Sequence, residues 1–520
     1  MVQDRHPEMN GAESLVRTLI ACGVDTCFSN PGTSEMHFVA ALDRVPGMRS
    51  VLALFEGVAT GAADGYWRMA GKPACTLLHL GPGLGNGLSN LHNAKKAGSG
   101  IVNIVGEHAE THRQLDAPLM SDIEGIARPV SQWVHRSETA AAVGADAARA
   151  VQTARTAPGQ VATLILPSDT AWTTGGRVAG PLTPPEPPVP DQDLVDQAAA
   201  LLRGGEALLL LGSGALTAEN LETAGRIAAA TGCALMSEWS NARLERGAGR
   251  VAVDKVPYPI DAAIEVLARF RRIVLVGARA PIGFFAYPGK PAVLTRPDAE
   301  ILPLADASDD VTAALGALRD AVGAHASAVV NGLRPEADVS GPLEPGGIAA
   351  VLAQEIPEGG IVVDESITTG RAFFPATHGA RPHTWLNNCG GSIGYGLPVA
   401  VGAAVACPGR KVLALIGDGS AMYTVQALWT MAREGLSVIT VIFANRSYRI
   451  LRGELDNVGA GNPGPRALDM LSLDRPHLDW VQMARSMGVE AARVEDCAAL
   501  ARAIRNGMDA DGPTLIEAVM

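Results

Sequence analysis

The stretch KVLALIGDGSAMYTVQALWTMAREGLSVITVIFANRSY, residues 411–448, decides the fold. Its two apolar runs, Val412–Ile416 and Val438–Phe443, have the length and composition of buried parallel strands. Between them Met422, Val425, Leu428, Trp429 and Ala432 recur at spacings of three and four, which predicts a helix. Strand, crossover helix and strand make one right-handed unit. Asp418 closes the first strand and Asn445 the second, so both side chains belong to the carboxyl edge of one sheet, where open α/β folds bind ligands. A carboxylate beside a neutral amide oxygen suits a hard divalent cation such as magnesium, which takes its other ligands from phosphate and water. Gly417 and Gly419 let the backbone approach a phosphate, and the next helix offers it free N–H groups. Taken alone, Gly-Asp-Gly is also what a plain strand-to-helix turn with a capping Asp looks like. The two strands and the distant Asn favour a site for a magnesium-bound diphosphate.

Composition sets the frame. A chain of 520 residues exceeds one ordinary domain, and about three are expected. Charged residues are 18% and apolar residues 47%, so the interior is large or subunit contacts cover much of the surface. A net charge of −12 argues against nucleic acid or an anionic membrane as partner. The seven cysteines are scattered with no CxxC, as in the reduced core of a cytoplasmic protein. The opening MVQDRHPEMNG is polar and does not look like a signal peptide, and no apolar run reaches the ~20 residues of a membrane span.

Residues 10–175 alternate helix and strand patterns. Asn10–Glu13 resembles a helix start, and GVDTCFSNPG reads as a strand entering a turn. Val51–Phe55 is a short apolar strand ending at Glu56, with the helix GVATGAADGYWRMAG behind it. Strand PACTLLHL leads to GPGLGNGLSNLHNAKKAG, read as a Gly-rich turn into a helix. Ile101–Val105 and Val161–Leu166 are further buried strands. Residues 173–193, rich in Pro and Gly, form an extended linker. A second α/β unit follows, with ALLLLGSGAL and RRIVLVGARAPIGFF as its strand-and-turn segments. GSGAL is not a full dinucleotide fingerprint, and no acidic partner follows at the right distance. A Gly/Pro/acid stretch near 331–346 separates this unit from the last, which ends in the strand PTLIEAVM. The fold class is therefore α/β, with three doubly wound domains of mostly parallel strands over 1–175, 190–335 and 345–520.

Several segments together resemble the thiamine diphosphate (ThDP) enzymes, specifically benzoylformate decarboxylase and, more loosely, the acetolactate synthase catalytic subunit. The resemblance rests on NPGTSE (30–35), FEGVATGAADGY (55–66), LLHLGPG (77–83), CGGSIGYGLP (389–398), GDGSAMYTVQALW (417–429) and ANRSY (444–448). The three domains then correspond to pyrimidine-binding (Pyr), middle and diphosphate-binding (PP) domains. The resemblance implies that Asp418, Asn445 and the main-chain carbonyl of Ser447 hold Mg2+. Ala444 replaces the first Asn of the family's Asn-Asn, which is not a ligand.

It also implies that Glu56 hydrogen-bonds the N1′ atom of the cofactor's aminopyrimidine and so activates it. His79 matches a proton-relaying histidine, and Thr33 stands where the decarboxylase has a serine touching the substrate carboxylate. Cofactor contacts are expected at Ser366, Thr368, Thr369, Gly391, Ile393, Gly417, Gly419, Ser420 and Tyr448, with Ile393 propping the two rings into a bent shape. Ile450, Leu451 and Glu454 are expected to line the substrate pocket. His108 and His112, spaced as HAETH, lack the adjacent His-His pair of pyruvate decarboxylases. GARAPIGFFAYPGKP (277–291) lacks the Arg- and Asp-rich segment that accompanies flavin in acetolactate synthases, so no FAD is expected. The implied activity is decarboxylation of a 2-oxo acid. The alternatives are an acetolactate synthase-like carboligase and a silent ThDP-binding paralogue. Because the family draws the Glu and Asp half-sites from different subunits, a homo-oligomer, a dimer of dimers, is expected.

Overall fold

The computed structural model describes residues 8–335 and 339–520. Residues 1–7 of the polar opening and 336–338 of the Gly/Pro/acid stretch lie outside the described residues. The chain packs as two compact units. The first holds the residues up to Glu186 together with Gly390–Gly409 and Thr424–Val438; the second holds Pro187–Cys389, Arg410–Tyr423 and Ile439–Met520.

The first unit is built on six strands, β1 (Thr26–Asn30), β2 (Arg49–Leu52), β3 (Ala74–Leu78), β4 (Ile101–Glu107), β5 (Trp133–Arg136) and β6 (Val161–Pro167). They lie in the order β2-β1-β3-β4-β6-β5, and every pairing is parallel. β4 and β6 are buried along their whole length, as continuous apolar runs covered on both faces must be. The strand order reverses between β1 and β3, so the carboxyl ends of these two strands flank the crevice of a doubly wound sheet.

Two readings are corrected here. The strand expected at Val51–Phe55 ends at Leu52, and Glu56 is the first residue of helix α1 (Glu56–Ala70), with Leu54 49% exposed. The expected Gly-rich turn is itself helical: α2 (Leu80–Ala97) starts directly after His79. Two of its glycines serve packing against α1. A Cβ on Gly87 would sit 2.9 Å from the Thr60 methyl of α1, and one on Gly83 would sit 3.0 Å from the Glu56 carboxylate. Helix α3 (Gly396–Ala406) is buried from Gly396 to Val405 and lies against α1 in the same unit. A Cβ on Gly402 would collide with the Ala62 carbonyl, and one on Gly65 with that of Val399. Beside this contact a buried ion pair, Asp64 with Arg68 at 2.7 Å, is completed by Ser99 and Tyr395.

The second unit carries two sheets. One orders β10 (Asp254–Lys255), β8 (Ala234–Ser237), β7 (Ala207–Leu211), β11 (Arg272–Val276) and β12 (Glu300–Ala305), all parallel. The other orders β17 (Glu490–Val494), β18 (Thr514–Val519), β16 (Val438–Ala444), β15 (Val412–Gly417), β13 (Ile361–Glu365), β14 (His383–Asn387) and β9 (Leu244–Arg246). β13 pairs in parallel with β14 and β15, whereas the three-residue β9 closes the edge antiparallel. Here the order reverses between β13 and β15. The helix expected across 422–432 is divided. After α4 (Asp418–Ala421) the chain turns, with Met422 38% exposed, before α5 (Ala427–Arg433). The Thr424 hydroxyl donates to the Gly394 carbonyl, fixing the chain in that turn. Helix α6 (Arg449–Asn457) follows β16.

Five cysteines are buried, Cys389 and Cys407 are half-buried, and none forms a disulfide among the described residues. No helix among the described residues is long and apolar enough to cross a membrane.

Replacing Gly402 by Ala is expected to cost about 1–3 kcal/mol or more through overpacking. Gly85→Ala, in open space on α2, should stabilise by about 0.5–1 kcal/mol. Thermal melting of both variants checks the pair, and equal midpoints would contradict the packing account.

His383 gives a pH prediction. Burial, then the nearby Arg246 guanidinium, pushes its pKa from 6.5 to about 3, and its Nδ1 faces the Arg381 carbonyl. The folded imidazole stays neutral where the unfolded chain takes a proton. Stability is therefore full above 6.5 and drains by about 1.4 kcal/mol per pH unit as pH falls toward 3. In His383→Asn, the drop in melting temperature between pH 7 and pH 5 should shrink relative to the parent protein.

Candidate active site

Each unit gathers polar side chains at its own strand-order reversal. In the first unit the carboxyl end of β1 runs through Gly32 into a short 3-10 turn, Thr33–Glu35, and the carboxyl end of β3 presents His79. His79 Nδ1 lies 2.8 Å from Glu35 Oε2, which also accepts the Gly32 N–H at 2.7 Å. Burial pushes the Glu35 carboxyl above the usual range, with the Gly32 N–H and His79 acting against it. Glu56, buried at the start of α1, accepts a hydrogen bond from the Asn86 amide at 3.0 Å. The Cβ position of Gly83 lies 3.0 Å from Glu56 Oε1 and 3.4 Å from His79 Cβ, so both side chains border one point on α2. Thr33 is exposed and adjoins Gly32, against which the His79 ring rests. Glu56, His79 and Thr33 are thus brought together; Glu35 and Asn86 join them and were not singled out from the sequence. Of these, Glu35 carried a signal, an acid three residues beyond Gly32 as in a capping box.

Gly391 and Ile393 also belong to the first unit. Gly391 is exposed with φ at 78°, and Ile393 is half-buried. Their turn is held on α2 by Asn93 Nδ2, which donates to the Ser392 carbonyl at 2.9 Å, and by Asn90 Nδ2, which donates to that of Gly394 at 3.2 Å.

In the second unit Asp418 is buried just beyond β15. Its Oδ1 accepts the Gly419 N–H at 2.9 Å and its Oδ2 the Arg446 N–H at 2.6 Å. This brings Asp418 beside Asn445, whose Oδ1 accepts the Ser447 N–H at 3.0 Å. Burial pushes the Asp418 carboxyl upward, opposed by those two N–H groups. Each of these oxygens has a lone pair to spare, and an Asp oxygen, an Asn oxygen and a carbonyl form a donor set fitted to a hard cation. Among the described residues no group of three or more His, Cys, Asp or Glu could hold a metal ion.

The two glycines of the motif differ. A Cβ on Gly417 would lie 3.7 Å from the Glu365 carbonyl and 3.9 Å from the Ser420 hydroxyl, ordinary contact distances, and Ser420 is buried. At Gly419 the space is filled by the Tyr448 ring, 2.5 Å from the Cβ position. Burial, then Tyr423, raises the Tyr448 phenol pKa.

A cavity of about 830 Å3 opens in this unit. It is lined by Thr368, Asn445, Ser447, Ile450 and Glu454, and from the earlier part of the chain by Tyr258, Tyr287 and Arg371. Leu451 is not among the lining residues and is 45% exposed. Two of the three hydroxyls after β13 are engaged elsewhere: Ser366 donates to Asp364, and Thr369 to the Met520 sulfur at 3.8 Å. Tyr258 and Tyr287 were not found from the sequence because no local motif marks them. Burial, then the Glu454 carboxylate, holds the Tyr287 phenol well above its ordinary range.

A doubly wound α/β chain with an acid after β2, a Gly-Asp-Gly turn after β15 and an Asn after β16 defines a class of cofactor-dependent α/β enzymes. The comparisons give it a name. Residues 9–132 match the family model of the thiamine pyrophosphate enzyme N-terminal TPP binding domain, and residues 369–518 that of the C-terminal TPP binding domain. The chain is 50% identical over 514 residues to the Mycobacterium tuberculosis protein named "Putative acetolactate synthase large subunit IlvX", covering 98% of this chain and 99% of that one. It is 30% identical to benzoylformate decarboxylase of Pseudomonas aeruginosa, covering 95% and 96%. Among solved structures, the 4-hydroxybenzoylformate decarboxylase of Rhodococcus jostii superposes with a TM-score of 0.86 at 24% identity, over 98% of this chain and 99% of that one, a likeness of fold. The chain belongs to the thiamine pyrophosphate enzyme family and is a ThDP-dependent enzyme.

Gly419→Ala is expected to displace the Tyr448 ring and cost about 1–3 kcal/mol. Gly417→Ala, whose methyl would meet its neighbours at ordinary contact distance, should leave the melting temperature nearly unchanged. A Gly417 variant as unstable as the Gly419 variant would refute this reading of the turn.

Proposed function

We propose that the protein decarboxylates a 2-oxo acid with ThDP and Mg2+. When bound, ThDP supplies a nucleophilic carbon and an electron sink for the bond to the departing carboxylate. The chain's residues do the rest. Asp418, Asn445 and the Ser447 carbonyl would hold the cation, and Gly417, with no side chain of its own, would let a phosphate approach the backbone. Glu56 would hydrogen-bond the aminopyrimidine. Thr33 offers a hydroxyl to the substrate carboxylate, and Thr368, Ile450 and Glu454 line the cavity that would receive the rest of the molecule. The observation that carries the decarboxylase reading is His79, positioned near Glu56 with a nitrogen available to move a proton to the product carbon.

A second reading, a carboligase joining two 2-oxo acids, is favoured by the 50% identity to a relative named for acetolactate synthase. On either reading the half-site with Glu56 and the half-site with Asp418 come from different copies of the chain. The working form would then be at least a homodimer, with a dimer of dimers expected, placed in the cytoplasm. The division into domains at 1–175, 190–335 and 345–520 belongs to the same proposal.

Purified protein with ThDP, Mg2+ and either pyruvate or benzoylformate should release carbon dioxide and free aldehyde; an acetohydroxy acid instead would establish the carboligase. Glu56→Gln is expected to lower turnover by at least ~100-fold while leaving ThDP uptake measurable by calorimetry. Unchanged turnover in that variant would remove Glu56 from the mechanism.

A further inference from the structure

We propose that Glu35 is the positioning residue for His79: it fixes the imidazole with its proton on Nδ1 and leaves the Nε2 lone pair free for proton transfer. The inference rests on His79 being the proton-handling group of the function proposed above, and it adds a residue which that reading lacks.

Glu35 is buried to 2% exposure on the 3-10 turn after β1. Its Oε2 accepts the Gly32 N–H at 2.7 Å, so it serves as an acceptor there. The same oxygen faces His79 Nδ1 at 2.8 Å. With Glu35 ionised, both groups meeting at that oxygen are donors, so Nδ1 carries a proton, and in the neutral imidazole Nε2 then keeps its lone pair. Nε2 makes no hydrogen bond to any described residue, and the ring keeps 24% of its side-chain surface exposed. The proton-accepting atom is therefore the one turned away from the carboxylate.

The surrounding backbone is shaped to hold this pair. A side chain at Gly32 would collide with the His79 ring, and one at Gly106, on β4, would collide with the Glu35 carboxylate. Glu35 Oε1, on the Gly106 side, has no hydrogen-bond partner, so no competing donor draws the carboxylate from His79. Leu80, the residue after His79, has φ at 49° and is fully buried. A bulky residue in that region is an outlier, maintained here by packing at a sharp strand-to-helix junction. That junction aims His79 from the end of β3, and Glu35 sets which nitrogen faces out.

The test combines turnover with a chemical probe that needs no substrate. Glu35→Ala should lower kcat about 10- to 100-fold in the parent protein and cause no further loss in His79→Ala, because a residue acting through another has nothing left to act on. Losses that multiply in the double variant would overturn the proposal and leave Glu35 a structural role. Glu35→Gln keeps an oxygen for both donors and should retain most of the kcat. It also carries the test if the Ala variant fails to fold, and a Gln variant as impaired as His79→Ala would overturn the tautomer argument. Independently, diethyl pyrocarbonate acylates an imidazole nitrogen that bears a lone pair. Peptide mass spectrometry should show His79 acylated several-fold more slowly in Glu35→Ala than in the parent or Glu35→Gln. Equal rates would overturn the proposal even if no 2-oxo acid is turned over, whereas absent turnover with the expected acylation pattern would count against the proposed function alone.

Discussion

One buried carboxylate accepting two main-chain N–H groups sets the geometry of the second unit. Asp418 takes the N–H of Gly419 at 2.9 Å and that of Arg446 at 2.6 Å, so the ends of β15 and β16 are tied to one side chain. Hydrogen bonds to an ionised acceptor are about twice as strong as neutral ones, and these two also offset part of the cost of burial. Arg446 reaches its position only with φ at 55°, which costs on the order of 1–2 kcal/mol for a side chain of this kind. The next residues inherit that turn: Asn445 and Ser447 face the cavity, and Tyr448 lies over Gly419. A sequence with Asp and Asn but without this clamp would have the donors and lack their arrangement.

The same economy appears at other strand ends. Leu80 follows β3, Ile367 follows β13 and Arg446 follows β16, and all three are non-glycine residues with positive φ. Each strained residue stands within two positions of its strand end, next to His79, Thr368 or Asn445 respectively. β3 and β13 flank the two points where strand order reverses, which is where open sheets leave a crevice. Strain persists only where the surroundings over-determine it. The complete burial of Leu80 shows such a constraint, and rigidity there would serve the proton transfer proposed for His79, since a misplaced group loses most of its effect.

These features were unequally legible in the sequence. Buried strands such as Ile101–Glu107 and Val161–Pro167 could be read from continuous apolar runs, because burial on both faces removes the need for polar residues. Gly-Asp-Gly and the distant Asn could be read because the chemistry demands those types at strand ends. The helix at 80–97 could not. Glycine is unfavourable in helices, so four glycines among its residues look like a turn until α1 is known to press against two of them, Gly83 and Gly87. The break at 422–426 was hidden for a related reason, since a run of helical spacings does not reveal that Thr424 is held by Gly394. Tyr258 and Tyr287 were the least legible. They meet Asn445 and Ser447 in one cavity from positions far back in the chain, and only the packed structure supplies that adjacency.

The relatives differ in the chemistry their names assign, while fold and ThDP-binding domains are common to the family, so neither feature selects an outcome. Selection has to come from the groups that meet the reacting carbon after carbon dioxide has left. A nitrogen able to move a proton favours release of an aldehyde, whereas a wall that excludes such donors and leaves room for a second carbonyl favours ligation. On the function proposed here His79 is such a group, and the tautomer proposed for it would make Nε2 the atom through which the proton passes. The cavity of the second unit, with Tyr258, Tyr287 and Glu454 in its lining, is spacious enough to admit more than a methyl-sized side chain. On the proposed function, product choice would turn on whether a proton relayed by His79 reaches that carbon before a second carbonyl does.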